Sequence, residues 1–316
     1  MSNSNIHGVG DNSNNNNNYG YQYVPNSGES VFTRGMYKGN PKEQTVMSFL
    51  KEALCPNLTF KSFSFIIIII NLVIYIITLI PHGLSSSDIN QWFLPPNEQT
   101  LDEFGNLYGY KLREKPAQVY RWITHNLLHA HFEHVFSNNF CILFFGTMFE
   151  YLIGTWKYMI IYWVSGILGG LFSVLIQPEV ASVGASICCY GIIGALLGYD
   201  FINWNRLCQI YGTRSKCLII SIPILMMIFT LPLMFSTTQG SRFGYGLENS
   251  NRINIVGHMG GILFGFLLSF FVCKPKEDTD SCGWTYKIYF YIGIAGVASF
   301  TVIGFLCFYL MDKYNR

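Results

Sequence analysis

Four polar side chains stand where the sequence is otherwise apolar. His134 and Asn138 open one apolar run, Ser186 opens another, and His258 lies in the first turns of a third. Serine and histidine together are the residue types of nucleophilic catalysis, because a serine hydroxyl attacks only when a base takes its proton. Polar side chains inside a membrane span are costly and are functional candidates by default. For Ser186 alone the bland reading is preferable: it bonds its own backbone, and its neighbouring glycines only pack. The other three residues change that balance.

Composition says what must position them. The 316-residue chain is 50% hydrophobic and only 12% charged, against roughly 25% charged in soluble domains. Mean hydropathy is positive, and no basic block suggests nucleic acid as a partner. The expected solvent is a lipid bilayer. A span needs about 20 mostly apolar residues. Seven segments qualify: 62–81, 134–153, 156–176, 186–203, 217–235, 254–273 and 287–310. The fold class expected is an all-α polytopic membrane protein.

Lys38, Lys42, Lys51 and Lys61 precede the first span. Arg206, Arg214 and Lys216 follow the fourth, and Lys274, Lys276 and Lys287 follow the sixth. This distribution places the N-terminus in the cytosol, although Lys111, Arg113, Lys115 and Arg121 lie in the first outer loop. Asn57-Leu58-Thr59 is then cytosolic and unglycosylated. Cys141, Cys188, Cys189 and Cys307 fall inside apolar runs, and the long loops 83–120 and 236–253 contain no cysteine, so free thiols are expected. Residues 1–60, with the run Asn14 to Asn18, form a polar tail of low complexity. No cleavable signal or mitochondrial presequence is evident in it.

In this topology spans two, four and six run the same way. His134, Asn138, Ser186 and His258 then share one depth near the outer face. Gly191, Gly194 and Gly198 in span four, and Gly257, Gly261 and Gly265 in span six, are small residues at helical spacing. Such stripes let membrane helices touch closely, and here the contact would bring Ser186 toward His258.

Gly184-Ala185-Ser186 followed by Tyr190-Gly191 resembles the serine motif of the rhomboid intramembrane proteases. His258-Met259-Gly260-Gly261, with Gly265, resembles that family's histidine motif. His129, His134 and Asn138, preceded by Arg121 and Thr124-His125, resemble its second-span signature, and Glu150 and Gly154 match the end of that span. The resemblance covers about residues 62–273. A seventh span after His258 is similar to the six-plus-one arrangement of eukaryotic secretory-pathway members.

The resemblance implies a tail at 1–60, a six-span catalytic core at 61–273, and a loop with a seventh helix at 274–316. It implies a serine endopeptidase cutting single-span membrane proteins in the secretory pathway or plasma membrane. Ser186 would be the nucleophile and His258 the base, without an acidic third member. Asn138, His134 and the Ser186 N–H would stabilise the oxyanion, Tyr190 would carry the imidazole on its ring, and Gly184 would leave room for substrate backbone. No cofactor or metal is implied. Arg121 and Glu150 are expected to bond loops and helix ends. His125, His129 and His131 would either offer water a polar approach or hold the outer loop. Loop 236–253, with Gly240, Gly244 and Gly246, would cap the site. Two departures bear on specificity: Ile187 stands where the family often has glycine and would alter the mouth of the site or restrict substrate shape, and Tyr120 stands where many members have tryptophan.

Three other readings compete. An inactive, client-binding relative would fit the same fold. His125, His129, His131 and His134 could hold a metal, but no HExxH motif is present. A transporter would be expected to show an internal repeat, and none is seen.

Overall fold

Glu150 ties the first helix to the rest of the bundle. Its carboxylate accepts hydrogen bonds from the backbone N–H of Phe63 (2.7 Å) and Ser64 (2.9 Å) and from the Ser64 hydroxyl (2.7 Å). Thr155 Oγ1 adds a fourth at 2.8 Å. The first N–H groups of a helix have no partner within it, and a carboxylate there also meets the positive end of the helix dipole.

The computed structural model describes residues 59–86, 93–203, 254–273 and 283–310. The tail to residue 58, the expected fifth span, loop 236–253 and most of the orientation-setting cations lie outside them. Cys55, Cys208, Cys217 and Cys282 do too. Among the described residues the regular structure is helical, with only two isolated β-bridges, Leu84 to Pro96 and Leu107 to Ser182.

Helix α1 spans Phe63–Thr78. The long loop after α1, the one expected on the outer side, carries the short helices α2 (Glu98–Phe104), α3 (Gly109–Glu114) and α4 (Arg121–Thr124). Next come α5 (Phe132–Cys141), a π-helical turn (Ile142–Gly146) and α6 (Thr147–Ile153). Then follow α7 (Thr155–Ile176), α8 (Ser186–Ile202), α9 (Ile255–Val272) and α10 (Gly283–Leu310). Helices α7, α9 and α10 are long and apolar enough to cross a bilayer, while α1 and α8 are apolar but shorter. Six of the seven expected spans therefore coincide with helices or a helical run.

Among the described residues, span two is the one that differs in kind. A regular helix was expected, and a π turn interrupts it. A residue is inserted there, so the faces before and after the turn lose their common phase. Gly146, at the end of the turn, has no room for a side chain, because a Cβ would overlap the Tyr158 hydroxyl of α7.

Helix α8 is the axis of the bundle, with nearly its whole length buried. A helix that is apolar all round belongs in an interior. It meets α9 through the glycines. A Cβ on Gly194 would strike Ile262 O, one on Gly261 would strike Ile187 O, and one on Gly265 would strike Gly191 O. The two backbones touch, as the small-residue spacing predicted. Helix α10 is peripheral. Only 11% of its most apolar stretch is buried, against 56% for α7. Its inner face packs through Phe300 on Phe264 and through Phe305 and Phe308 on Trp122.

Arg121, almost wholly buried, organises the outer loop. Its guanidinium donates to Gln118 Oε1 (2.7 Å), to Asn106 O (2.7 Å) and Oδ1 (2.9 Å), and to Asp102 O (2.9 Å), with Asp102 Oδ1 at 3.4 Å. A charge buried this deeply needs such pairing. Arg121 and Glu150 thus hold loops and helix ends, as expected.

Candidate active site

The approach to α8 is shaped by Gly184. Its φ is +120°, a backbone conformation that side chains disfavour. A Cβ there would also lie 2.5 Å from His134 Cε1 and 3.4 Å from Asn138 Nδ2. The glycine therefore lets the chain pass against the faces of His134 and Asn138. Its N–H donates to His125 O at 2.8 Å, and the next N–H, of Ala185, donates to His129 Nε2 at 3.4 Å.

Ser186 is the first residue of α8 and His258 lies in the first turn of α9. Both are buried. His258 Nε2 is 2.8 Å from Ser186 Oγ. With Nε2 unprotonated the hydroxyl donates to it, which is the geometry for removing the serine proton. The Tyr190 ring stacks on the imidazole, with centroids 4.5 Å apart and planes 29° from parallel. Among the described residues no carboxylate bonds His258. The backbone N–H of Ser186 stands at the positive end of the α8 dipole.

Asn138 Nδ2 is buried with no acceptor among the described residues. An orphan donor of this kind is unfavourable and calls for an explanation. Asn138 lies beside Gly184, two residues before Ser186: a Cβ on that glycine would be 3.4 Å from Asn138 Nδ2. His134 lies against the same glycine. Ser186, His258 and Tyr190 therefore meet one another, and Gly184, His134 and Asn138 meet one another just before α8.

The other histidines are engaged in the outer loop. His131 caps α5, accepting from His134 N–H at 3.2 Å, and its Nδ1 is 3.0 Å from Glu133. His129 Nδ1 bonds Leu127 O at 3.2 Å, which leaves Nε2 as the acceptor for Ala185. Asn126 Nδ2 bonds His125 Nε2 at 3.0 Å. Burial pushes the pKa of both His125 and His129 down to about 3, so both imidazoles are neutral. Of the two roles expected for these residues, holding the loop is the one their bonds perform. Among the described residues no group of three His, Cys, Asp or Glu is placed to hold a metal ion.

One expectation is corrected. Ile187 does not stand at the mouth of the site. It is 1% exposed, and its Cγ2 fills the space beside Gly169 of α7. The helix turn after Ser186 aims it at the neighbouring helix. Sequence reading also passed over Asn254, which caps α9 and bonds across to α7 and to the segment before α8. An asparagine just before an apolar helix is a cap signal, but its partners in distant segments leave no local signature. The described cysteines, Cys141, Cys188, Cys189, Cys273 and Cys307, are free thiols.

Comparison with known proteins agrees with the fold. The chain is 28% identical over 266 residues to "Rhomboid-like protease 3" of Toxoplasma gondii, covering 84% of this chain and 88% of that protein. It is 33% identical over 170 residues to "Putative rhomboid protease YdcA" of Bacillus subtilis (strain 168), covering 54% and 75%. It is 31% identical over 138 residues to "Inactive RHOMBOID-like protein 8" of Arabidopsis thaliana, covering 44% and 37%. A family model, the rhomboid domain, matches residues 116–275. The chain is an integral membrane protein that belongs to the rhomboid family.

Proposed function

We propose that this protein is an intramembrane serine endopeptidase with Ser186 as nucleophile and His258 as general base. The observation that carries the reading is the 2.8 Å contact between His258 Nε2 and Ser186 Oγ inside the bundle. His258 takes the hydroxyl proton as Oγ bonds to the scissile carbonyl carbon. The C–N bond then breaks, and His258 returns the proton to the leaving amine. Water attacks the acyl-enzyme, giving a proton to His258, and Ser186 recovers it as the acid departs. Asn138, His134 and the Ser186 N–H hold the negative oxygen of the tetrahedral intermediates. Tyr190 keeps the imidazole in plane, and Gly184 admits substrate backbone. The proposed reaction needs no cofactor.

The substrates proposed are single-span membrane proteins. A transmembrane helix hides its peptide bonds, so the segment cut must unwind, and small or helix-breaking residues near the outer face favour cleavage. The distribution of lysines and arginines supports an N-terminus in the cytosol, and the compartment proposed is the secretory pathway or plasma membrane.

The test is cleavage of a tagged substrate with one glycine-containing span by wild type, Ser186→Ala and His258→Ala, each checked for folding. Cleavage by wild type alone is expected. The alternative is an inactive client-binding protein, a class for which the relative named inactive provides a precedent. A wild type that retains clients, cuts none, and is unchanged by Ser186→Ala would establish that alternative.

A further inference from the structure

We infer that Asn254 is a positioning residue that sets the separation of Ser186 and His258 by clamping the outer ends of their helices. The inference rests on the proposed dyad and identifies what holds it. Asn254 caps α9, with Oδ1 accepting the Gly257 N–H at 2.7 Å. The same oxygen accepts the Ser173 hydroxyl of α7 at 2.7 Å. Nδ2 donates to Ser182 Oγ, in the segment leading into α8, at 2.9 Å. One amide therefore joins three elements.

Capping alone needs none of the cross-links. Asn97 caps α2 by accepting from Gln99 N–H at 2.9 Å, and no bond from its side chain to another element is seen among the described residues. At Asn254 the amide also lies where a side chain at position 257 would fall. A Cβ on Gly257 would come within 2.6 to 2.8 Å of its Nδ2, Cγ and Oδ1.

The spacing ties the clamp to the chemistry. Ser182 is four residues before Ser186, and Asn254 is four before His258. The His258 N–H donates to Asn254 O at 3.1 Å, so the imidazole rides directly on the capped turn. Ser182 is fixed in turn by paired bonds to Leu107 in the outer loop, at 2.8 and 2.9 Å. Deeper in the bundle the α8 and α9 backbones are held by Gly191, Gly194, Gly261 and Gly265. Those contacts lie on the inner side of Ser186 and His258. The Ser182–Asn254 bond closes the same helix pair on the outer side, so the dyad is bracketed. A misplacement of about 1 Å can cost on the order of a hundredfold in rate.

The test measures cleavage kinetics and thermal stability of the purified full chain with Asn254→Ala, Asn254→Asp, Ser182→Ala and the double variant Ser182→Ala/Asn254→Ala. Asn254→Ala should lower kcat about tenfold to a hundredfold with KM within about twofold. Ser182→Ala removes only a hydroxyl and should lower kcat severalfold. The double variant should match Asn254→Ala, because both remove one interaction. Asn254→Asp should recover most of the rate, since a carboxylate still accepts from Gly257 and Ser173, and the Ser182 hydroxyl can turn to donate. A drop in thermal stability with kcat unchanged in both single variants would make Asn254 only a helix cap. Additive losses in the double variant would also overturn the clamp. Should Asn254→Ala fail to fold, Ser182→Ala decides. A wild type that cuts nothing sinks the protease reading itself, an outcome distinct from wild-type cleavage unaffected by these substitutions.

Discussion

Ser186 and His258 sit on helices that touch backbone to backbone, whereas Asn138 and His134 sit on a helix held mainly by side chains. The α8–α9 contact leaves no room for a Cβ at Gly194, Gly261 or Gly265. Across the site, α5 is joined to α1 by an Asn71–Asn139 bond of 3.0 Å and to α8 by a Cys189 Sγ contact of 3.7 Å with Asn138 O. Its other face exposes Phe136 and Phe140, and a π turn follows it. Close-packed interiors transmit small errors, while side-chain bonds can be re-made. The proposed nucleophile and base are thus fixed relative to each other, and the proposed oxyanion donors are adjustable. This division suits the proposed reaction, which must keep proton transfer in register while admitting a bulky, unwound substrate.

The largest effect expected from breaking this contrast is at the glycine contact. Gly265→Leu would drive α9 off Gly191 and cost more than the 1–3 kcal/mol typical of overpacking. Cleavage should fall below detection along with thermal stability. A folded, active Gly265→Leu would show that the backbone contact does not set the dyad. On the adjustable flank, Asn138→Ala should lower kcat by about 10²–10³ and leave stability within about 1 kcal/mol of wild type. Its Nδ2 has no acceptor to lose among the described residues, and an orphan donor costs the fold rather than supporting it. Unfolding in step with lost activity would reassign Asn138 to structure.

The sequence made the two flanks unequally legible. Ser186, His258 and the glycine stripes could be read because a polar residue in an apolar run and small residues at helical spacing are local patterns. The approach of His134 and Asn138 to Gly184, two residues before Ser186, followed from topology and from the resemblance. The π turn at Ile142–Gly146 was not legible, since one inserted residue leaves the apolar run unchanged. The side to which Ile187 points and the partners of Asn254 were hidden for another reason. Both depend on α7, through Gly169 and Ser173, and distance in sequence erases that signal. Arg121 was read correctly as structural, but Asp102, Asn106 and Gln118 could not be chosen as its partners.

The smallest effect concerns the outer loop. His125 and His129 are neutral, with pKa values pushed down by burial to about 3, against about 6.5 when unfolded. Between those values the unfolded chain binds more protons. Stability is therefore complete above about pH 6.5 and falls as pH drops toward 3, by at most about 1.4 kcal/mol per pH unit for each histidine. Thermal unfolding from pH 7.5 to 5 should show this decline, and it should shrink in His129→Gln. A stability that rises on acidification would show that these imidazoles are charged in the fold.

The central claim is that His258 activates Ser186. The most direct measurement is the site and rate of covalent labelling by a fluorophosphonate, read by mass spectrometry on folded wild type and His258→Ala. A single adduct on Ser186 that forms in wild type and not in His258→Ala is the predicted result. An active protein without an adduct on Ser186, or equal labelling rates in the two proteins, would contradict it.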